Sequence, residues 1–496
     1  MQLQALIFFA LVLMEDRVPS DAPPRPFLAL AAVLLPSLVA LVVQSFAVRR
    51  AEAQLDRRDP RGVRSAVFAE RIASLVGWIA TLGLALGTLA FGWLGAVRGV
   101  LGNWPAIDEL VAVAPPVVTL AASWWIQEPL ERRVRDASLI RRLDEGLPIP
   151  AAPTRAEYVY ERMCANIFLL LVPLLIVLAL GESLVPLVKS RVDPAWADDV
   201  AEATMIACAA ATYCASPLIA RVVLRLRPLP PGELRDDLLE ICDRCGVRVS
   251  NVFLWDTRNA TINGAVMGIV APLRYVMLTD ALLELLPRDE LRAVMAHEIG
   301  HVRRRHLPWM LGAMVVLLMG ASFVVDWPMQ VIFERMQADG WGPDEMIAAD
   351  AWMARAGTLG AGLIALFGFG WLSRRFERQA DTFAVQALSQ ATGELVSPGA
   401  VDAMRGALAS VARFGGVDPE RRSWRHGSIE WRRRYLAGLV GRPVDRLPID
   451  RIVARLKLAT AAGLVAAGAL LWREMSSEHE RYDQPEVVEL RPPRGL

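Results

Sequence analysis

Residues 297–301 read His-Glu-Ile-Gly-His, and the stretch before them carries Leu291, Val294 and Met295 at helical spacing. Two histidines four residues apart stand one turn apart on one helix face, so both imidazoles can reach one zinc at about 2.0–2.1 Å. Glu298 sits one residue round the helix, where it misses the metal yet reaches a water bound to it. Zinc lowers the pKa of such a water to about 7, and a nearby carboxylate takes its proton as the water attacks a polarised peptide carbonyl. The pattern alone also fits a polar helical patch with two unrelated histidines.

A catalytic zinc takes three protein ligands and keeps a fourth position open, so a downstream residue must complete the set. His306 is the nearest histidine. After Arg303, Arg304 and Arg305, however, it reads as a membrane-boundary residue, and its spacing does not continue the motif as in metzincins. Glu377 shares a helix face with Ala380, Asp381 and Ala384, small residues where close approach to a metal would need them. The competing reading of Glu377 is an ion pair with Arg374 or Arg378.

These groups sit in a chain of 496 residues that is 54% hydrophobic with net charge +1, too apolar for an ordinary soluble enzyme and without bulk charge for nucleic acid. A bilayer core needs roughly 20 apolar residues of helix, and about 17 suffice. Seven runs qualify: Phe27 to Val48, Ile72 to Val97, Leu110 to Ile126, Ala165 to Gly181, Ala203 to Ala220, Leu307 to Val325 and Ala356 to Leu372. Leu3 to Met14 and Leu458 to Trp472 are shorter, and the first lacks the basic flank of a cleaved signal peptide.

Arginines alternate between loops. Residues 49–71 and 128–163 are rich in them, while the connections around Arg98, around Lys189 and Arg191, and from Pro328 to Arg355 are poor. Cytoplasmic loops retain Lys and Arg, which places 221–306 and 373–455 on the cytoplasmic side. The expected organisation is a membrane region over 1–220, a catalytic subdomain over 221–306, a transmembrane hairpin over 307–372, a second catalytic stretch over 373–455, and a last span and tail over 456–496. Within 221–306 a helix from Gly232 to Cys245 precedes strands at Val252 to Trp255, Ala265 to Val270 and Tyr275 to Thr279, the last two a hairpin around Ala271 and Pro272.

Five cysteines imply no disulfide framework, and the Cys242-x-x-Cys245 pair reads as helix packing because Leu238 and Ile241 share its face. Only Lys189 and Lys457 are lysines; with the abundance of alanine, this points to a GC-rich bacterial source and thus to the inner membrane.

His-Glu-Ile-Gly-His followed, after a hydrophobic hairpin, by Ser373-Arg374-Arg375-Phe376-Glu377-Arg378-Gln379-Ala380-Asp381 resembles the M48 peptidases, which include CaaX prenyl proteases and HtpX heat-shock proteases. The resemblance implies that Glu377 is the third zinc ligand and that Asp381 orients a ligand histidine from behind, fixing its tautomer. It extends upstream to Arg258-Asn259-Ala260-Thr261-Ile262-Asn263-Gly264, which implies that Asn259 and Ala260 lie by an edge strand that binds extended substrate; a plain surface hairpin is the alternative. Downstream, His426-Gly427-Ser428-Ile429-Glu430-Trp431-Arg432 resembles a late His-Pro element that implies a part for His426 and Arg432 in stabilising the oxyanion. Here Gly427 replaces the proline, and a solvated basic helix through Arg432, Arg433 and Arg434 competes.

The expected fold is therefore a polytopic helical membrane protein with a small α+β, zincin-like (gluzincin) catalytic subdomain. The expected function is a zinc endopeptidase with one zinc per chain, acting on protein or peptide substrates at the lipid bilayer, with no nucleic-acid partner. A CaaX-type prenyl-peptide protease fits the same architecture. A transporter would place charges at mid-span, which these runs lack, and a non-catalytic scaffold would be expected to have lost Glu298 or a ligand.

Overall fold

The computed structural model describes residues 2–17, 24–144, 152–258, 261–390, 393–445 and 447–482. The protein is mainly helical with one small sheet, and seven of its described helical segments are long and apolar enough to cross a membrane: Pro26–Asp56, Arg61–Phe91, Ile107–Asp136, Arg155–Lys189, Ala197–Val223, His306–Ala338 and Pro448–Leu470. It is a multi-pass membrane protein. Five of these contain whole apolar runs expected from sequence, Arg61–Phe91 contains most of the Ile72 to Val97 run, and Pro448–Leu470 contains most of the short Leu458 to Trp472 run. The 356–372 run lies inside a single helix, Pro343–Gln390.

Contacts divide the chain into two compact units, one of residues 1–230, 249–261 and 267–281, the other of 231–248, 262–266 and 282–496. In the first, helices α1 (Gln2–Arg17), α2 (Pro26–Asp56), α3 (Arg61–Phe91), α4 (Trp93–Leu101), α5 (Ile107–Asp144), α6 (Arg155–Met163) and α7 (Leu169–Lys189) pack around Phe8, Leu84, Leu94, Leu120 and Ile167, and α8 (Ala197–Val223) packs on α7. The apolar run 72–97 is not one helix: Gly92, at φ 68, ends α3 and α4 begins at once. A glycine tolerates that left-handed backbone at no steric cost. Close packing of α2 on α3 depends on Gly83 and Gly87, since a Cβ on Gly83 would lie 2.9 Å from the Ala32 carbonyl oxygen. Small residues four apart allow such approach where lipid supplies no hydrophobic drive. Glu15 accepts hydrogen bonds from the backbone N–H groups of Leu94 and Gly95 at the start of α4, where the helix dipole favours an anion.

Strand β1 (Arg227–Pro228) pairs antiparallel with β2 (Val252–Trp255). Helix α9 (Glu233–Arg244) intervenes in sequence. Strand β3 (Gly264–Met267) is shorter and begins earlier than the 265–270 strand expected, because the chain turns at Gly268 (φ 100) and forms a 3-10 turn over Ala271–Leu273. Strand β4 (Tyr275–Thr279) is fully buried and pairs in parallel with β2, Val252 opposite Val276.

In the second unit the remaining helices are α10 (Asp280–Leu285), α11 (Arg288–Arg303), α12 (His306–Ala338), α13 (Pro343–Gln390), α14 (Pro398–Phe414), α15 (Ile429–Ala437) and α16 (Pro448–Tyr482). Acidic Asp289 and Glu290 open α11, as its N-terminal dipole favours. Gly300 lets α11 come close to α13, since a Cβ there would meet the Phe383 ring at 2.9 Å. Ala380 and Ala384, both wholly buried, belong to the small-residue face of α13 expected from sequence. Phe376 and Leu372 of α13 pack with Ile449 and Val453 of α16 and Ala313 of α12.

Candidate active site

Helix α11 presents His297, Glu298 and His301, and α13 presents Glu377 and Asp381. His297 Nε2 lies 3.3 Å from His301 Nε2 and 3.8 Å from Glu377 Oε2, while His301 Nε2 lies 3.7 Å from Glu377 Oε1. One ligand atom from each of the three falls within 4.8 Å of the others. Donors about 2.0–2.2 Å from a tetrahedral metal stand roughly 3.3–3.6 Å apart, so the triangle has the size of a zinc site.

His297 Nδ1 lies 2.9 Å from Asp381 Oδ1, which favours a proton on Nδ1 and leaves Nε2 bare. Two ring nitrogens without protons would repel at 3.3 Å unless a proton or a metal cation lies between them. The donor set fits a metal.

Asp381 is fully buried and is gripped by Arg432, whose Nε and Nη2 donate to its two oxygens at 2.7 and 2.6 Å. Arg432 Nη1 faces Glu377 Oε2 at 3.4 Å. Arg432 is thus buried rather than part of a solvated basic face. Nor does Glu377 pair with its neighbouring arginines: Arg378 stacks over Trp431 and Tyr435, and Arg374 donates to the Trp424 carbonyl. His426, half exposed, places Nδ1 3.1 Å from Glu377 Oε1.

Gly427 explains the departure from a His-Pro pair. Its φ is 76, which a proline ring locked near −65° cannot adopt. Ser423 and Gly427 exchange backbone hydrogen bonds at 3.2 and 3.0 Å, holding His426 in the loop before α15, which Ser428 caps by accepting from the Trp431 N–H.

The electrostatics separate the carboxylates. Burial pushes Glu298 up to about 7. Glu377 would also rise on burial, but the His426 hydrogen bond and the Arg432 charge hold it well below the usual range. Burial likewise acts to raise Asp381, yet Arg432 and His297 keep it low. Burial and the neighbouring His297 lower His301 to about 4, a neutral imidazole. For His297, burial is outweighed by Asp381, Glu377 and Glu298, which raise it.

The structure therefore brings together His297, Glu298, His301, Glu377, Asp381, His426 and Arg432. Asn259 and Ala260 lie outside the described residues. One neighbour was read differently in the sequence: His306, only 1% exposed, sets Nδ1 3.0 Å from His301 Nδ1. Its place follows from Arg305, which breaks the chain between α11 and α12 in a left-handed conformation (φ 54) that no sequence signal announces.

Residues 228–402 match the family model described as Peptidase family M48. The chain is similar to a protease HtpX homolog of Aeropyrum pernix, 32% identical over 112 residues, which are 22% of this chain and 34% of that protein. It is similar also to a CAAX prenyl protease 1 homolog of Arabidopsis thaliana, 25% identical over 173 residues, 34% of this chain and 40% of that one. The chain thus spans two fifths or less of the length of these relatives. The crystal structure of S. mikatae Ste24p aligns with a TM-score of 0.41 at 16% identity, over 84% of this chain and 100% of that one. The His-Glu-x-x-His helix and Glu377 both lie inside the stretch, residues 228–402, that matches the Peptidase family M48 model.

Proposed function

We propose that the protein is a membrane-embedded zinc endopeptidase that hydrolyses peptide bonds of membrane or membrane-adjacent proteins. The observation that carries this reading is the convergence of His297, His301 and Glu377 on one point, with Glu298 close enough to feel the charges of His297 and Glu377. These three residues would hold the ion, one per chain. A zinc ion there supplies Lewis acidity, activating water and polarising the scissile carbonyl.

Every other part falls to the chain. Glu298 takes the proton of the attacking water and returns it to the leaving amine, a task suited to a carboxyl whose pKa lies near 7. Asp381 holds His297 with its Nε2 toward the metal. Arg432 is a positioning residue, its guanidinium committed to Asp381 and Glu377, so the donor to the developing oxyanion is the more exposed His426. Asn259 and Ala260 bind the substrate backbone. The names of the relatives leave a CaaX-type prenyl-peptide protease as a narrower form of the same chemistry.

Glu298→Gln tests the mechanism, because it keeps the side chain's shape and removes the base. The variant should hold zinc like the wild type while cutting an unfolded test protein in detergent at least about a hundredfold more slowly. Equal cleavage by both proteins, or cleavage that survives a chelator, would sink the mechanism. No cleavage by zinc-loaded wild type across several substrates would favour a scaffold.

We infer that the site lies on the cytoplasmic face of a bacterial inner membrane, a reading whose orientation the arginine-rich loops support. In a variant lacking accessible native cysteines, Pro60→Cys and Glu420→Cys should be protected from a membrane-impermeant thiol reagent in intact cells and Gly340→Cys labelled. The reverse pattern would overturn the orientation and leave the zinc site untouched.

A further inference from the structure

Among the described residues, the second zinc-facing histidine has an imidazole, not a carboxylate, behind it. Where His297 has Asp381, His301 has His306, and the hydrogen bonds behind His306 have a direction. Asp450 of α16, which also lies 3.6 Å from Arg304, has only acceptor oxygens when ionised. Gln379 therefore turns its amide N–H toward Asp450 Oδ1, at 2.6 Å, and leaves its Oε1 facing His306 Nε2, at 2.9 Å. An amide oxygen only accepts, so the proton of a neutral His306 sits on Nε2. Its Nδ1 is then bare and accepts from His301 Nδ1–H at 3.0 Å, which strips His301 Nε2 of its proton and points a lone pair at His297 and Glu377.

We propose that Asp450, Gln379 and His306 form a tautomer relay, with His306 the positioning residue that makes His301 a metal ligand through Nε2. Packing fixes the relay's geometry. The His306 ring stacks on Phe376, centroids 4.7 Å apart and planes 3° from parallel. Lys457 of α16 donates to the Arg304 carbonyl oxygen at the C-terminal end of α11, where a cation is favoured. Gln386 joins the same mesh, accepting from Arg304 and donating to the Val444 carbonyl. Helix α16, whose apolar composition reads only as a last span, thereby sets the tautomer of a metal ligand three hydrogen bonds away. Without the relay His301 would be free to carry its proton on Nε2, the form that cannot coordinate.

The relay rests on the zinc reading above, and the experiment separates the two. The full-length protein in detergent is titrated with Zn2+ against a competing chelator, and the unfolding temperature of the metal-free form is measured alongside. His306→Phe keeps a flat ring to stack on Phe376 but removes the acceptor; zinc affinity should fall about 10- to 100-fold, the range for losing a partner behind a metal-bound imidazole. His306→Asn offers an amide oxygen near the former Nδ1 and should recover most of that loss. Asp450→Asn frees the Gln379 amide to turn over and should weaken zinc several-fold without touching a ligand; it also carries the test if His306→Phe does not fold. Unchanged affinity in both His306→Phe and Asp450→Asn overturns the relay, as does an equal loss in His306→Phe and His306→Asn with the metal-free unfolding temperatures unaltered. Absence of zinc from the wild type overturns the metal reading itself.

Discussion

Among the described residues, two clusters that each bury a pair of carboxylates around one arginine differ in what stands beside the ion pair. In the first unit Arg98 reaches Asp108 at 2.5 Å and Glu109 at 2.6 Å, tying α4 to the start of α5, with both acidic side chains wholly buried. Asp108 Oδ1 and Glu109 Oε2 remain without a hydrogen bond. In the second unit Arg432 occupies both oxygens of Asp381 and faces Glu377. The ion pairing is similar, and the difference lies in what stands beside it. At Arg432 two imidazoles turn Nε2 toward a common point. At Arg98 oxygens and a guanidinium simply meet. A buried ion pair is thus no sign of catalysis by itself, whereas an ion pair that orients nitrogen lone pairs is.

The sharpest test of that distinction is Glu377→Ala, which leaves a catalytic zinc one protein ligand short. Zinc content should fall far below one per chain and activity to background, read by elemental analysis and peptide cleavage. Stoichiometric zinc in this variant would move the third ligand elsewhere.

Exchanging the two arginines for methionine tests the comparison directly. Arg432→Met strands Asp381 and Glu377 in the interior, and removing one partner of a buried pair costs about 3–5 kcal/mol. Arg98 is a quarter exposed, so Arg98→Met should lower the unfolding temperature by less. The qualitative outcome is the more telling one. Arg432→Met should lose zinc affinity along with stability, while Arg98→Met, per folded molecule, should bind zinc and cleave substrate like the wild type. Loss of zinc binding in Arg98→Met would break the separation.

What the sequence disclosed follows from what periodicity encodes. Histidines four residues apart share a helix face whatever the tertiary fold, so His297, Glu298 and His301 were legible at once, as was the small-residue face around Glu377. Apolar runs located the membrane segments but not the helix ends: α13 runs unbroken from Pro343 to Gln390 through a boundary that hydropathy places at Leu372. Parallel pairing of β2 with β4 was hidden because register belongs to contacts distant in sequence. So was the burial of Arg432, whose arginine neighbours suggested a solvated face. His306 was the least legible, because its approach to His301 depends on a left-handed turn at Arg305, a residue type with no preference for that conformation.

The smallest expected effect concerns Cys242 and Cys245, whose C-x-x-C spacing could suggest a second metal or a redox pair. Both are free thiols, Cys242 on α9 and Cys245 at its C-terminal cap. Cys242 is 1% exposed, packs among Leu238 and Ile241, and donates its thiol hydrogen to the Leu238 carbonyl oxygen at 3.4 Å. Burial pushes its thiol up to about 12, and burial raises Cys245 as well. Metal binding and thiol exchange both need the thiolate, which such surroundings disfavour. Cys242 is a small hydrophobe on the buried face of a helix and Cys245 a partly buried residue at its end, a packing role like that the Arg98 cluster plays with charges. The double variant Cys242→Ala and Cys245→Ala should therefore keep one zinc per chain and cleave within about twofold of wild type, losing on the order of 1 kcal/mol of stability for the buried sulfur removed. A drop in zinc stoichiometry, or wild-type activity that responds to a thiol reductant when the double variant's does not, would make α9 a second chemical site rather than a packing element.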